Sequence, residues 1–155
     1  IKKIIIDKPV KLVFFKTAAL NFLFPDKSFE GQTLKNVHDS ALVSELDFEG
    51  KKILLMADAE KNLERYLIQK GVLGDTDVLK AGHHGSKTSS NDFFLKAVKP
   101  EYAVISVGDR NRYGHPHPDV LSRLESIGAQ IFRTDINGTI ILNINNGRLT
   151  LQKEK

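Results

Sequence analysis

Val78-Leu79-Lys80-Ala81-Gly82-His83-His84-Gly85-Ser86 decides the reading of this chain, because an apolar strand signal ends there in two adjacent histidines held between glycines. Glycine on either side lets the backbone turn sharply and approach a ligand closely. Paired imidazoles can offer one ring to a metal and the other to a substrate oxygen or a supporting carboxylate. A packed pair of core histidines is the competing reading, and the flanking glycines, which remove side-chain packing, weigh against it. Working outward, Thr76 to Ala81 reads as a strand, and Asn91 to Val98 as a helix capped by Ser90 or Asn91 and stopped by Pro100. Tyr102 to Val107 reads as the next strand, which completes a βαβ pattern.

Upstream, Lys2 to Phe15 and Leu20 to Phe24 read as two strands joined by a turn, and Phe29 to Asp39 as a loop. Ala41 to Phe48 alternates apolar and polar, Glu49-Gly50 turns, and Lys51 to Ala57 is a compact apolar run, so a β-hairpin is expected there. Asp58 to Gly71 carries Leu63, Tyr66 and Leu67 at helical spacing with Glu60 and Glu64 opposite, and Gly71 closes it. Downstream, Pro118 to Ile127 reads as a helix and Gln130 to Thr134 as a strand. Thr139 to Ile144 pairs with Arg148 to Gln152 across Asn145-Asn146-Gly147, a strong hairpin signal. No repeat or linker divides the chain, so residues 1–155 read as one α/β domain.

The ionisable residues gather where strands end, which is where layered α/β folds present reactive side chains. Asp58 follows the apolar run ending at Ala57 and is either a helix N-cap or a metal ligand. The double histidine is the second such end. The third is Tyr113-Gly114-His115-Pro116-His117-Pro118, which puts His115 and His117 ahead of a helix N-terminus, a natural seat for phosphate, or simply forms a helix-entry loop. Between them, Ser86-Lys87-Thr88-Ser89-Ser90 offers hydroxyls and a cation that suit helix capping first and phosphate second. Arg110 and Arg112, flanking Asn111, either add positive charge with Lys87 to the same rim or are simply solvated surface charges. The lone His38, beside Asp39, reads as a surface or supporting histidine rather than a ligand.

Composition narrows the chemistry. The chain of 155 residues is 41% hydrophobic, enough for a real core, and carries 23 Lys and Arg against 19 Asp and Glu, a net +4 that favours anionic partners without demanding them. It has no cysteine, which excludes disulfides, thiol nucleophiles and Cys-based zinc sites, so a metal must rest on His and carboxylate donors. Val10 to Phe24 is broken by Lys11, Lys16 and Asn21 and is too short and polar to span a bilayer.

Taken in order, several motifs carry a resemblance: Asn36-x-x-Asp39-Ser40-Ala41-Leu42-Val43, Leu54-Leu55-Met56-Ala57-Asp58-Ala59-Glu60, Asp77-Val78-Leu79-Lys80-x-Gly82-His83-His84-Gly85-Ser86-Lys87-Thr88-Ser89, and Asn111-Arg112-Tyr113-Gly114-His115-Pro116. From Leu20 onward the chain resembles the metallo-β-lactamase-fold domain of ComEC-type DNA-internalisation competence proteins and related hydrolases.

That resemblance implies an αββα sandwich that binds two divalent ions, zinc or manganese, and hydrolyses a phosphodiester, plausibly in DNA. Asp58 would bridge the ions and His83 or His84 would bind one of them. The other histidine of the pair, with His115 and Ser86, would act on the phosphate oxygens or the leaving group. Ser86, Lys87, Asn111, His115 and His117 would contact substrate, and His84 and His115 are the expected catalytic residues. The family's Thr-Gly-Asp stands here as Met56-Ala57-Asp58, and its His-x-Asp-x-Asp-His metal motif occurs nowhere in the sequence. The chain, which starts at Ile1, therefore reads as the second half of that fold, a partial domain whose metal site is incomplete alone. By the same resemblance it would be tethered to a membrane protein on the extracytoplasmic face. A non-catalytic nucleic-acid-binding or assembly fragment and a small-molecule ester or lactone hydrolase remain as alternatives.

Overall fold

Two apolar strands meeting at the two-residue turn Glu49-Gly50 lie at the middle of the sheet. The turn residues both take positive φ (51° and 76°), the geometry of a tight hairpin whose twist matches its strands. The computed structural model describes residues 5–154, so the first part of the expected Lys2–Phe15 strand lies outside the described residues. The strands are β1 (Val10–Phe15), β2 (Ala18–Phe24), β3 (Val43–Phe48), β4 (Lys51–Leu55), β5 (Val78–Lys80), β6 (Tyr102–Ile105) and β7 (Gln130–Arg133), joined in that order into one sheet. β1 to β4 pair antiparallel, while β4 to β7 pair parallel. The parallel half arises because α1 (Lys61–Gln69), α2 (Asp92–Val98) and α3 (Pro118–Ser126) each carry the chain back across the sheet. A single turn, α4 (Thr134–Asn137), then leads into a separate hairpin, β8 (Ile140–Asn145) and β9 (Arg148–Lys153). Its turn residues Asn146 and Gly147 both have positive φ (51° and 71°), as the Asn-Gly signal requires.

The helices share one face of the sheet. Leu54, Leu79, Ala103 and Ile105 from the strands pack with Leu63 and Leu67 of α1, Phe94, Leu95 and Val98 of α2, and Val120 and Leu124 of α3. Strand register places Leu46 opposite Ile53 and Phe48 opposite Lys51 on the other face. There Leu46, Phe48 and Ile53 line a cavity of about 200 Å³ with Leu142 and Ile144 of β8, and Glu49 accepts a hydrogen bond from the Gly147 amide at 3.2 Å. The second hairpin therefore lies over part of the sheet face that the helices leave open.

Two features of α1 depart from the sequence expectation. The helix begins at Lys61 rather than Asp58, with Glu60 as N-cap, because the preceding Met56–Ala59 segment is a tight turn in which the Ala59 amide donates to Met56 O at 2.9 Å. Glu64, expected opposite the apolar stripe, is fully buried. α1 packs against α2 as well as the sheet, so a second flank of the helix is enclosed. The closure at Gly71 (φ 65°) follows the expected pattern, since its amide and that of Val72 donate back to Ile68 O and Leu67 O.

Candidate metal centre

The carboxyl ends of β4, β5 and β6 feed three loops that are tied to one another through backbone. Beyond β4, Ala57 takes a left-handed conformation (φ 47°) at the position where the resembled family has glycine, and its carbonyl accepts from the His83 amide at 2.8 Å. Beyond β5, the Gly82–Gly85 turn presses against both neighbours. A Cβ on Gly82 would lie 2.5 Å from the Ala59 carbonyl oxygen, and one on Gly85 would lie 2.7 Å from Pro116 Cβ. The Gly85 carbonyl in turn accepts from the His117 amide at 2.9 Å. The two glycines thus allow the close approach that brings the histidine clusters into one site. Both histidines between them sit in left-handed backbone (φ 46° and 55°), a conformation that costs non-glycine residues on the order of 1–3 kcal/mol each.

The rings converge. His83 lies 4.2 Å from His38, 5.8 Å from His115 and 6.5 Å from His84, centroid to centroid. His38 belongs to a 3-10 turn, Val37–Ser40, whose cap Asn36 accepts from the His38 amide through its side-chain oxygen. The amide nitrogen of that Asn36 side chain reaches Glu60 Oε2 at 2.9 Å, which ties the turn to the start of α1. Glu60 Oε1 accepts from the Thr88 hydroxyl at 2.6 Å and from His83 Nδ1 at 3.2 Å. Burial opposes ionisation of Glu60, but the hydrogen bonds from Thr88, Asn36 and His83, with His38 nearby, outweigh it and hold the carboxyl below its ordinary range. His38, Glu60 and His83 each place a donor atom within 4.8 Å of the others, near enough for a small closure to bring all three onto one cation. Two imidazoles and a carboxylate are a known zinc donor set, and the proton between His83 and Glu60 is what a cation would displace.

The remaining expected site residues divide in role. His84 Nδ1 lies 2.6 Å from the Ser106 carbonyl, and since a carbonyl only accepts, that nitrogen donates and leaves Nε2 to face other partners. His115 is held by Asn111, whose carboxamide accepts from the His115 amide at 2.9 Å and donates to the His115 carbonyl at 2.7 Å. Burial, then the neighbouring His83, His84 and His117, push the His115 imidazole below its usual pKa. His117 caps α3, its Nδ1 accepting from the Asp119 amide at 3.2 Å, so helix entry is part of its work. Ser86 is buried with its hydroxyl 3.0 Å from that of Thr88, whereas Lys87 is exposed and pairs with Asp119 at 3.7 Å. Asp58 is exposed in the turn beyond β4 and lies outside the His38–Glu60–His83 group.

Neither His38 nor Glu60 is singled out as a ligand by local sequence: a lone histidine beside Asp39 reads as a supporting residue, and helical spacing puts Glu60 on the solvent face of a helix that in fact starts one residue after it. The available signal was the spacing Asp58-x-Glu60 within a strand-to-helix turn, which offers two carboxylates to one loop. Among the described residues no helix is long and apolar enough to cross a membrane.

Comparison with known proteins adds homology. No family model matches the chain. It is 41% identical over 103 residues to ComE operon protein 3 of Bacillus subtilis, an alignment covering 66% of this chain and 13% of that protein. It is 37% identical over 108 residues to Recombination protein 2 of Haemophilus influenzae, covering 69% and 14%, and 37% identical over 122 residues to Competence protein ComA of Neisseria gonorrhoeae, covering 77% and 18%. The chain spans less than a fifth of each of these relatives. Over the matched segment it is homologous to competence-related proteins.

Proposed function

We propose that this chain is the metal-binding part of a phosphodiesterase that acts on DNA in competence-related uptake. The observation that carries the reading is the convergence of His38, Glu60 and His83 on one cation-sized space, with His84 and His115 standing at its edge. The names of two relatives, a competence protein and a recombination protein, point to DNA as the material handled. In this reading His38, Glu60 and His83 hold a divalent cation, zinc or manganese. When bound, the cation would polarise the phosphate and make a water more acidic. Asp58, projecting from the same turn as the Ala57 carbonyl that fixes His83, would serve a second ion.

The chain's own residues supply positioning and hydrogen bonds. Thr88 and Asn36 orient the Glu60 carboxylate, as supporting hydrogen bonds do in metal sites. His84, with Nδ1 committed to the Ser106 carbonyl, presents Nε2 to the cation or to a water. His115, whose backbone Asn111 fixes, would donate a ring N–H hydrogen bond to the departing oxygen, which takes its proton from water. Lys87 would meet non-bridging oxygens after releasing its long, exposed pairing with Asp119.

The sheet supports the larger architecture of this reading. Leu12, Leu20, Phe22, Leu46, Phe48 and Leu55 share the face away from the helices and are half-buried, and among the described residues the β8–β9 hairpin lies over part of it. An αββα sandwich, in which a second sheet covers that face, accounts for so much apolar surface. Attachment to a membrane protein outside the cytoplasm belongs to the same proposal.

The test is hydrolysis of a DNA oligonucleotide and of bis-p-nitrophenyl phosphate, with added Mn²⁺ or Zn²⁺, by a polypeptide that carries this chain together with the sheet that would cover its open face. Cleavage that requires the metal and falls at least a hundredfold in both His83→Ala and Glu60→Gln is expected. Cleavage unaffected by EDTA, or retained in both variants, would overturn the assignment. So would hydrolysis of lactones with none of diesters.

A further inference from the structure

Tyr113 is two-thirds exposed (67%), yet its ring is not loose. It stacks on the His115 imidazole, with centroids 5.9 Å apart and planes 21° from parallel. The Arg112 guanidinium lies 5.1 Å from the same centroid and donates to the Tyr113 hydroxyl at 3.0 Å. No carboxylate pairs with Arg112 among the described residues, so its charge remains available to an anion. The loop that carries both is built rather than slack. Asn111 donates to Gly108 O and to His115 O and accepts from the His115 amide, and Arg110 and Gly114 take positive φ (55° and 66°) to close the turn. Beside Tyr113 opens a cleft of about 210 Å³, lined by His84, Val107, Gly108, Asn111, Tyr113 and His115. A planar group entering it would meet the exposed part of the Tyr113 ring, the side chain of Val107 and the imidazoles of His84 and His115 beside the candidate centre.

An exposed aromatic fixed beside a cation is what proteins use to hold an unpaired base, because every base has a π-face and the phosphate on either side is drawn by the charge. A base within a duplex has its faces covered by its neighbours and cannot make this contact without leaving the stack. We infer that Tyr113 and Arg112 form a stacking platform that seats an unpaired nucleobase of single-stranded nucleic acid next to His115. The platform reads the flat face of the base and not its edge, so binding tolerates any sequence. This rests on the phosphodiesterase reading for its biological meaning, but not for its binding chemistry.

Binding is therefore measured in EDTA, where hydrolysis plays no part. The chain contains no tryptophan, so Tyr113→Trp introduces a single indole whose emission reports stacking. Titration with oligothymidylate is expected to quench that emission, while an abasic oligonucleotide of equal length and charge quenches it little and binds less tightly. Stacking is worth roughly 1–3 kcal/mol per base, so Tyr113→Ala should weaken oligothymidylate binding by about 5- to 150-fold, measured by anisotropy of a labelled strand. Tyr113→Phe should retain most of the affinity, which separates stacking from loss of the hydroxyl. Gly108→Val, at a position where an added Cβ meets nothing within 4 Å, should narrow the cleft and weaken base-containing strands without weakening abasic ones. Equal binding of base-containing and abasic strands, preference for duplex, or an unchanged affinity in Tyr113→Ala overturns the platform. Loss of metal-dependent cleavage with these binding differences intact overturns only the hydrolase reading.

Discussion

At the residue scale the site is shaped by backbone that most side chains avoid. Ala57 sits at φ 47° and its carbonyl receives the His83 amide, so the turn cannot relax without moving a candidate ligand. Left-handed backbone costs a residue with a Cβ roughly 1–2 kcal/mol and glycine almost nothing. Ala57→Gly should therefore raise the unfolding free energy by about 1 kcal/mol, read as a higher urea midpoint with an unchanged slope; an equal or lower midpoint would contradict the strain. Gly82→Ala should act the other way. Its added methyl meets the Ala59 carbonyl oxygen at 2.5 Å, a rigid backbone atom, and the variant should lose metal affinity together with stability. The glycines around the double histidine were legible as permission for a close approach. What they approach, Ala59 on one side and Pro116 on the other, was not, because both partners come from distant chain.

At the element scale one buried carboxylate joins three helices. Glu64 of α1 accepts from the Ser90 amide at 2.5 Å and from the Asn91 amide and side chain at 3.1 Å each, so it caps α2 from outside, where Asn91 makes no side-chain cap of its own. Arg123 of α3 donates to the carbonyls of Ser89 and Ser90 at 2.9 Å and faces the same segment. Desolvation dominates at Glu64 and, against the hydrogen bonds to Asn91 and Ser90 and the charge of Arg123, pushes its pKa up to about 7. The folded protein then holds a proton that the unfolded chain releases near pH 4.5, so stability declines as pH rises between about 4.5 and about 7 and is level above that. The decline should be on the order of 3 kcal/mol and should vanish in Glu64→Gln, measured by denaturation midpoints from pH 5 to 8. A slope that survives the substitution would assign it elsewhere. Periodicity revealed most elements here, including both Gly-closed hairpins and the helix from Pro118. It misplaced Glu64 because a two-sided helix buries a position that an amphipathic pattern assigns to water.

At the scale of the whole molecule the candidate centre is a contact between segments remote in sequence. His38 comes from the loop between β2 and β3, Glu60 from the turn after β4, and His83 from the turn after β5. Strand order brings the last two together, since β4 and β5 are parallel neighbours and their ends open on the same edge. His38 is tied in through Asn36 and its bond to Glu60, a link that no local pattern announces. A cation bound by all three would exist only in the folded state, and so would stabilise it by mass action. At a free concentration a hundred times its dissociation constant the gain is about 2.7 kcal/mol, which for a domain of this size raises Tm by roughly 5–10 °C. Scanning calorimetry with Zn²⁺ should show that rise, EDTA should reverse it, and His38→Ala and Glu60→Gln should each abolish most of it. A shift of equal size in both variants would mean that zinc binds elsewhere and that the convergence of these three side chains serves packing alone.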